Sequence, residues 1–593
     1  MKEKVNMGRI IVTNNSNWSN FLVENSSNAG MKVCKQDEIH DIKLTSFYKL
    51  NIECDNYYEC GDESVFVVGT FFYKELFGQE ALEELFNDRN KRSVKEIRAD
   101  AFGAYAVIIK LKSKLIIFTD ETRMYGLYYY ANDKCFLITN SYLHIQQCAH
   151  QRIDHNALLE RGIRGGIAGL NTPFENIYSL SARQYIEING KTDEFMVKAV
   201  ELNNYAVSVS SPDEAISIIW ERTQRIAAIR SKYIHNYLQF VTGGIDSRLE
   251  LAINIYNNDN IHLGYWMGSD LITNGTSEDL EIEKKIGERF SLKHDCFSVG
   301  CDYSEVLGEI SLNDISRYGE YASKYAGNKK WFSIFNNAEE EFIGFGYFGE
   351  TLRELGELDR YYHDDYSLDE FVKDVYCRTG LEKTIFSSDD FYPYLKNQMQ
   401  NLLSIKSKVK YDIDDYYRIF TYSRFSADCL LTNICNLFTY SFPVFGVKQV
   451  ADVIFSIPYQ MRKNEVLSIG LTYRWSEGLL DIPYYSHHHK ILCNKDALTV
   501  QETTANNFLS KIKPALINTK VYDYVYLKLL QKYVRPQQKN NKDVFDLCMK
   551  VLHNSDVFQN SSITVRNPKN WKGAELATLA SFVADIKCIE LIN

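Results

Sequence analysis

The sequence predicts an α/β protein, because three stretches each carry an apolar strand through a turn into a helical pattern. Tyr237-Leu238-Gln239-Phe240 leads through Val241 to Arg248 into Leu249-Glu250-Leu251-Ala252-Ile253. Ile261 to Trp266 reads as a second buried strand, and Ser277-Glu278-Asp279 with Ile282, Ile286, Phe290 and Leu292 as an N-capped amphipathic helix. Phe342 to Phe345 is a third strand, running into Gly346-Tyr347-Phe348-Gly349-Glu350. Strands alternating with helices form a parallel sheet covered by helices, and ligands sit beyond the carboxyl ends of its strands. The two glycine-bearing turns are therefore expected to meet over one ligand.

Residues 241 to 248 read Val-Thr-Gly-Gly-Ile-Asp-Ser-Arg. A strand, a glycine turn and a helix start bring backbone N–H groups, two hydroxyls and a helix dipole to one place, which is a cradle for phosphate. The spacing fits neither the Walker loop, which needs a Lys after four intervening residues, nor the three-glycine dinucleotide fingerprint. Taken alone, Gly243-Gly244 also makes an ordinary tight turn. The octet resembles the Ser-Gly-Gly-x-Asp-Ser loop of the ATP pyrophosphatases, which split ATP to AMP and pyrophosphate while activating a carboxyl or carbonyl oxygen. Within that group it is most similar to the asparagine synthetase family.

The resemblance spans most of residues 60 to 495. Asp100-Ala101-Phe102-Gly103, the hairpin through Leu115 to Arg123, and Gly126-Leu127-Tyr128-Tyr129 are similar to the family's N-terminal glutaminase-type domain. Asp154, Leu158, Thr172-Pro173-Phe174, Ile177 and Leu180 resemble the helix and strand that close it, and Pro443-Val444-Phe445-Gly446, Pro458 and Pro483 follow in the family's order. The implied architecture is an N-terminal Ntn-type αββα sandwich over 1–205 and a doubly wound parallel-sheet ATP pyrophosphatase domain over 206–593. The polar interval Asn203 to Asp213 is the expected boundary, with Ser210-Ser211-Pro212-Asp213 a helix entry. From about 500 the spacing of Val521, Val525 and Leu529, or Leu527, Leu530 and Val534, is helical.

With 593 residues the chain has room for two to four domains. A net charge of -10, without a basic block, argues against nucleic acid as the main partner. Thirteen scattered cysteines lack zinc-site spacing and read as reduced core residues. Lys110, Lys112 and Lys114 interrupt the longest apolar run, so no membrane span or signal core is expected, and a cytoplasmic location follows. A homodimer is left open.

A glutaminase of this type needs Cys as the first mature residue, so that the α-amine can activate the thiol. The chain reads Met1-Lys2-Glu3, with no Cys before Cys34, so the N-terminal region is expected to be a scaffold without glutaminase activity. The nucleophile is then free ammonia or an amine of a substrate, as in the β-lactam synthetases and lasso-peptide cyclases of the same family. The partners so implied are a small-molecule or peptide carboxylate and an amine.

The resemblance implies ATP and Mg²⁺. Val241, Thr242, Gly243, Gly244 and Ser247 would hold phosphate, and Asp246 would ligate Mg²⁺, although Asp there also suits a helix N-cap. Gly346 belongs to the second loop, with Glu350 at the other metal position and Tyr347 where a β-lactam synthetase has Tyr; packing is the alternative for this tyrosine. Arg248 either pairs with phosphate or a carboxylate or is a solvated first-turn residue. Lys490, after Pro483 and the run His487-His488-His489, is the expected transition-state cation, and the histidines read as a solvated loop. Trp266 or Tyr265 flanks adenine or packs in the core, and Arg353 and Arg474 are further cations near the two loops. A pseudoenzyme that keeps the fold without the chemistry is the alternative reading; a sulfur-transferring tRNA modifier lacks its basic surface here.

Overall fold

The computed structural model describes residues 8–52, 56–257, 260–267, 277–298, 310–323, 329–354, 358–377, 391–402, 410–486, 489–494, 499–502, 542–561, 563–565 and 573–593. Its N-terminal part contains two six-stranded sheets. One is ordered Tyr178–Ser179, Tyr128–Ala131, Phe136–Thr139, Arg9–Thr13, Ile42–Phe47, Val33–Ile39; the other Phe195–Ala199, Gln184–Asn189, Lys114–Thr119, Tyr105–Leu111, Glu63–Gly69, Tyr57–Cys60. The pairings are antiparallel.

Period-two patterning decides how these sheets stack. Ile10, Val12, Ile42, Leu44, Phe136 and Ile138 of the first sheet share one core with Phe66, Val68, Ile108, Ile117, Ile186 and Ile188 of the second. Their neighbours along each strand point outward. Ile11 and Leu137 meet Leu22, Leu143 and Leu158, which belong to the helices Ser16–Asn28, Tyr142–Ala149 and His155–Arg164. Val65, Val107 and Ile109 meet Leu82, Leu85 and Ile97 of the helices Gly78–Asp88 and Val94–Ala99. The layers therefore run helix, sheet, sheet, helix.

After Ala199 the chain crosses to the helix Pro212–Tyr233, capped by Ser211, whose hydroxyl accepts the Glu214 N–H at 3.2 Å. A four-stranded sheet follows in the spatial order Lys293–Ser298, Ile261–Met267, Tyr237–Phe240, Phe342–Gly344, with every pairing parallel. The helices Ile245–Asn257 and Ser277–Phe290 pack on one face, through Leu249, Ile253, Ile282 and Ile286. Ile315 of Leu312–Tyr318, with Phe332 and Phe335 of Lys329–Asn337, joins Leu238 and Ile343 in the other core cluster, with Phe438. The chain moves outward from Tyr237–Phe240 for two strands, then returns to its other side. Because crossovers are right-handed, that reversal puts the later helices on the opposite face and leaves a crevice between Tyr237–Phe240 and Phe342–Gly344.

The helices 542–553 and Gly573–Ile592 lie toward the C-terminus. Val521, Val525, Leu527, Leu529, Leu530 and Val534 lie outside the described residues. No described helix is long and apolar enough to cross a membrane.

Candidate functional site

The crevice is built from the loops that leave its two flanking strands. Val241 is buried and donates to the Gly264 carbonyl at 3.0 Å, fixing where the first loop departs. The loop then closes on itself. Thr242 N–H donates to Ser247 Oγ at 3.0 Å, the two hydroxyl oxygens lie 3.1 Å apart, and Gly244 N–H reaches Thr242 Oγ1 at 3.4 Å. Thr242 itself is exposed and Gly244 half-buried.

The second loop lies directly on the first. A Cβ on Gly346 would stand 2.4 Å from both Cα and N of Ser247, and one on Gly349 would stand 3.1 Å from Cα of Asp246. Only glycine permits that approach. Phe348 turns the loop in the left-handed region, φ 67°, with its ring buried in the core, and Thr351 closes the turn onto the Phe348 carbonyl at 3.1 Å. Tyr417 and Arg462 hold the Thr351 carbonyl from behind. The two glycine-bearing turns thus meet, as their sequence positions predict.

Asp246 is partly exposed, and Arg353 Nη2 lies 2.5 Å from its Oδ2. Its Oδ1 is buried without a hydrogen-bond partner. Burial raises the carboxyl pKa, against the lowering effect of Arg353, while Glu465 adds to the rise. Glu350 is buried, with Arg424 Nη2 3.7 Å from its Oε1. Behind Arg353, Glu465 Oε1 is 4.0 Å from Nη1, and Glu465 Oε2 accepts the Tyr484 hydroxyl at 2.8 Å. A polar chain therefore links the first loop to the hairpin that follows Pro483.

Arg248 is corrected by this geometry. It is 0% exposed and donates to the carbonyls of Leu479 at 3.0 Å, Ile482 at 2.5 Å and Pro483, with its guanidinium 5.6 Å from the Tyr484 ring centroid. It is neither a phosphate ligand nor a solvated residue. It reaches residues 479–483 instead, where it fixes the entry to Tyr484–Ser486. Tyr347 lies half-buried, its ring 5.5 Å from that of Phe345. Tyr265 is core, 1% exposed. Arg474 bonds Ser217 Oγ at 2.8 Å on an exposed surface, so of these two arginines it is Arg353 that lies at the loops.

Lys490 belongs to the strand His489–Asn494, in register with Tyr485, but its side chain lies outside the described residues, as do the side chain of Trp266 and all of His487 and His488. Glu465 and Arg424 were not legible as site residues. Glu465 arrives through a left-handed turn, φ 57°, that no local signal announces, and Arg424 belongs to a helix far along the chain.

Among the described residues no group of three or more His, Cys, Asp and Glu is placed to hold a metal. The two carboxylates nearest the loops still fit a divalent cation in part. Asp246 offers a buried oxygen without a donor, and Glu350 is acceptor-only when ionised.

No protein-family model matches the chain, and no curated protein does. Among solved structures it is similar to one titled as the allosteric regulatory enzyme of purine biosynthesis, at 8% identity and a TM-score of 0.23, over 39% of this chain and 60% of that one. It is also similar to the glutamine phosphoribosylpyrophosphate amidotransferase of B. subtilis complexed with ADP and GMP, at 8% identity and a TM-score of 0.22, over 49% of this chain and 65% of that one. The matches thus span under two thirds of either neighbour's length. What stands on the chain's own geometry is a mixed α/β protein with a parallel sheet and a loop-built crevice at its strand ends.

Proposed function

We propose that the chain is an ATP-dependent amide-bond-forming synthetase. It would adenylate a carboxylate, release pyrophosphate, and pass the acyl group from AMP to an amine or ammonia. The observation that carries this reading is the Thr242–Ser247 turn at the point where strand order reverses, with Gly346 and Gly349 pressed onto it. On this reading the sheet is the doubly wound ATP pyrophosphatase domain of the asparagine synthetase resemblance, and residues 1–205 are its Ntn-type sandwich.

Phosphate would lie on Thr242, the Gly243 and Gly244 backbone and Ser247, at the positive end of the helix Ile245–Asn257. Mg²⁺ would be held by Asp246 and Glu350, where it would neutralise charge on the phosphates. Arg353, now paired with Asp246, would turn its guanidinium to an anion bound there. Lys490 remains the proposed cation over the acyl oxyanion and Trp266 the proposed neighbour of adenine. Tyr347 lines the second loop. The sandwich is read as a scaffold without glutaminase activity. Burial pushes the Cys148 thiol up to about 12 and also raises that of Cys135, so neither is a ready thiolate.

The test is pyrophosphate release on a panel of carboxylates with ATP and Mg²⁺, for the intact chain and for Asp246→Ala. Release by the intact chain, reduced at least about 10²-fold in the variant, supports the reading; equal release by both sinks it. A second reading has its own observation. Both proposed metal ligands already face guanidinium groups, Asp246 that of Arg353 and Glu350 that of Arg424. A nucleotide-binding protein without turnover would keep those pairs. It predicts ATP binding by calorimetry that is unchanged by Mg²⁺.

A further inference from the structure

A separate cavity with both polar and apolar walls opens between the sandwich and the helix Phe391–Leu402, away from the two loops. It encloses about 530 Å³, within the range of small-molecule sites. Arg123, Arg183, Asn171, Asn397, Asn401 and Tyr422 are on its wall.

Arg123 is held there by a turn built for it. Its backbone has φ 59°, a conformation that side chains other than glycine and asparagine rarely adopt. Asp120 pins the turn. Its Oδ1 accepts the Thr122 N–H at 3.1 Å, the Thr122 hydroxyl at 3.0 Å and the Met124 N–H at 2.9 Å, and its Oδ2 the Tyr125 N–H at 2.9 Å. The Asp120 carboxylate is thus occupied within the turn. Glu121, on the same wall, accepts the Asn203 N–H at 2.7 Å.

Among the described residues the guanidinium donates to neutral oxygens, the Gly169 carbonyl at 3.3 Å and Ser179 Oγ at 3.0 Å. Among the described residues no carboxylate lies in ion-pair range of it, although burial lowers its pKa. A fixed, partly desolvated guanidinium without a counter-ion favours an anion from outside. The neighbouring amides of Asn171, Asn397 and Asn401 offer both donors and acceptors.

We infer that this cavity binds a small polar anion, a carboxylate or phosphate on a body that carries hydroxyls or amides, with Arg123 as its counter-ion. The inference does not depend on the synthetase reading. Isothermal titration of the full chain with N-acetylglycine, inorganic phosphate and uncharged N-acetylglycinamide separates the two sources of charge from non-ionic binding. Saturable binding of at least one anion is expected, with none of the amide. Arg123→Gln should weaken it at least about tenfold. Because Arg123 also holds the Gly169 carbonyl, Asn397→Leu on the exposed side of its helix is the second variant, expected to weaken binding about threefold or more at unchanged Tm. Saturable binding of neither anion, or binding that both variants leave unchanged, overturns the inference.

Discussion

Arg248 stands two residues from Asp246 and does different work, because a helix turns successive side chains by about 100°. Asp246 faces the crevice; Arg248 faces the turn before Tyr484 and caps three carbonyls that have no water to fall back on. Arg248→Met should therefore lower stability by about 3 kcal/mol or more, the cost of leaving buried acceptors without donors. The measurement is the urea midpoint at constant m. A variant with the parental midpoint but no pyrophosphate release would return Arg248 to the catalytic site. The motif around it was legible as a strand, a turn and a helix start. The side-chain direction was not, because it depends on where residues 479–483 come to rest, more than 200 positions away in the chain.

At the scale of elements, what the sequence made legible is what short-range chemistry decides. Ser211 before Pro212 starts a helix, Asp154 caps His155–Arg164, and the runs at 261 and 342 are strands. The partners of those elements depend on long-range packing. Glu160 illustrates this. Its helix is readable from the cap and the apolar spacing, yet the side chain is buried under residues 168 and 376, accepting the Ala168 N–H at 2.8 Å and the Tyr376 hydroxyl at 2.7 Å. Burial raises its pKa from 4.5 to about 7, with those two bonds pulling the other way. The folded state thus holds this proton more tightly than the unfolded chain. Stability from this group is greatest below pH 4.5, falls as pH rises to about 7, and is level above that, by on the order of 3 kcal/mol. Glu160→Gln keeps an acceptor without the charge, so its stability should change less across that window. Parallel pH profiles of parent and variant would show the group to be solvated instead.

Across the whole molecule, the sandwich and the parallel-sheet region are joined by buried polar contacts as well as by a shared core. Lys49 Nζ donates to the carbonyls of Asn436 at 2.7 Å and Thr439 at 2.9 Å, and Thr70 Oγ1 lies 2.7 Å from Asn436 Oδ1. The end of the chain returns to the sandwich in the same manner. Gly573–Ile592 lies on His155–Arg164, where Phe582 fills the space left by Gly162, whose Cβ would stand 2.5 Å from that ring. Arg161 Nε and Nη2 reach Asp585 at 3.1 and 3.4 Å, both residues being buried. Removing one partner of such a pair leaves the other charged and uncompensated, at a cost of about 3 to 5 kcal/mol, whereas replacing both with apolar residues costs much less. Asp585→Asn should accordingly lower Tm, and Arg161→Leu combined with Asp585→Leu should recover most of the loss. Because Phe582 and Ile586 share one core with Leu137 and Leu158, the loss should appear as a shift of one cooperative transition, followed by near-ultraviolet circular dichroism. An early, separate transition in Asp585→Asn, with the main one unmoved, would instead make the C-terminal helix an appendage of the fold.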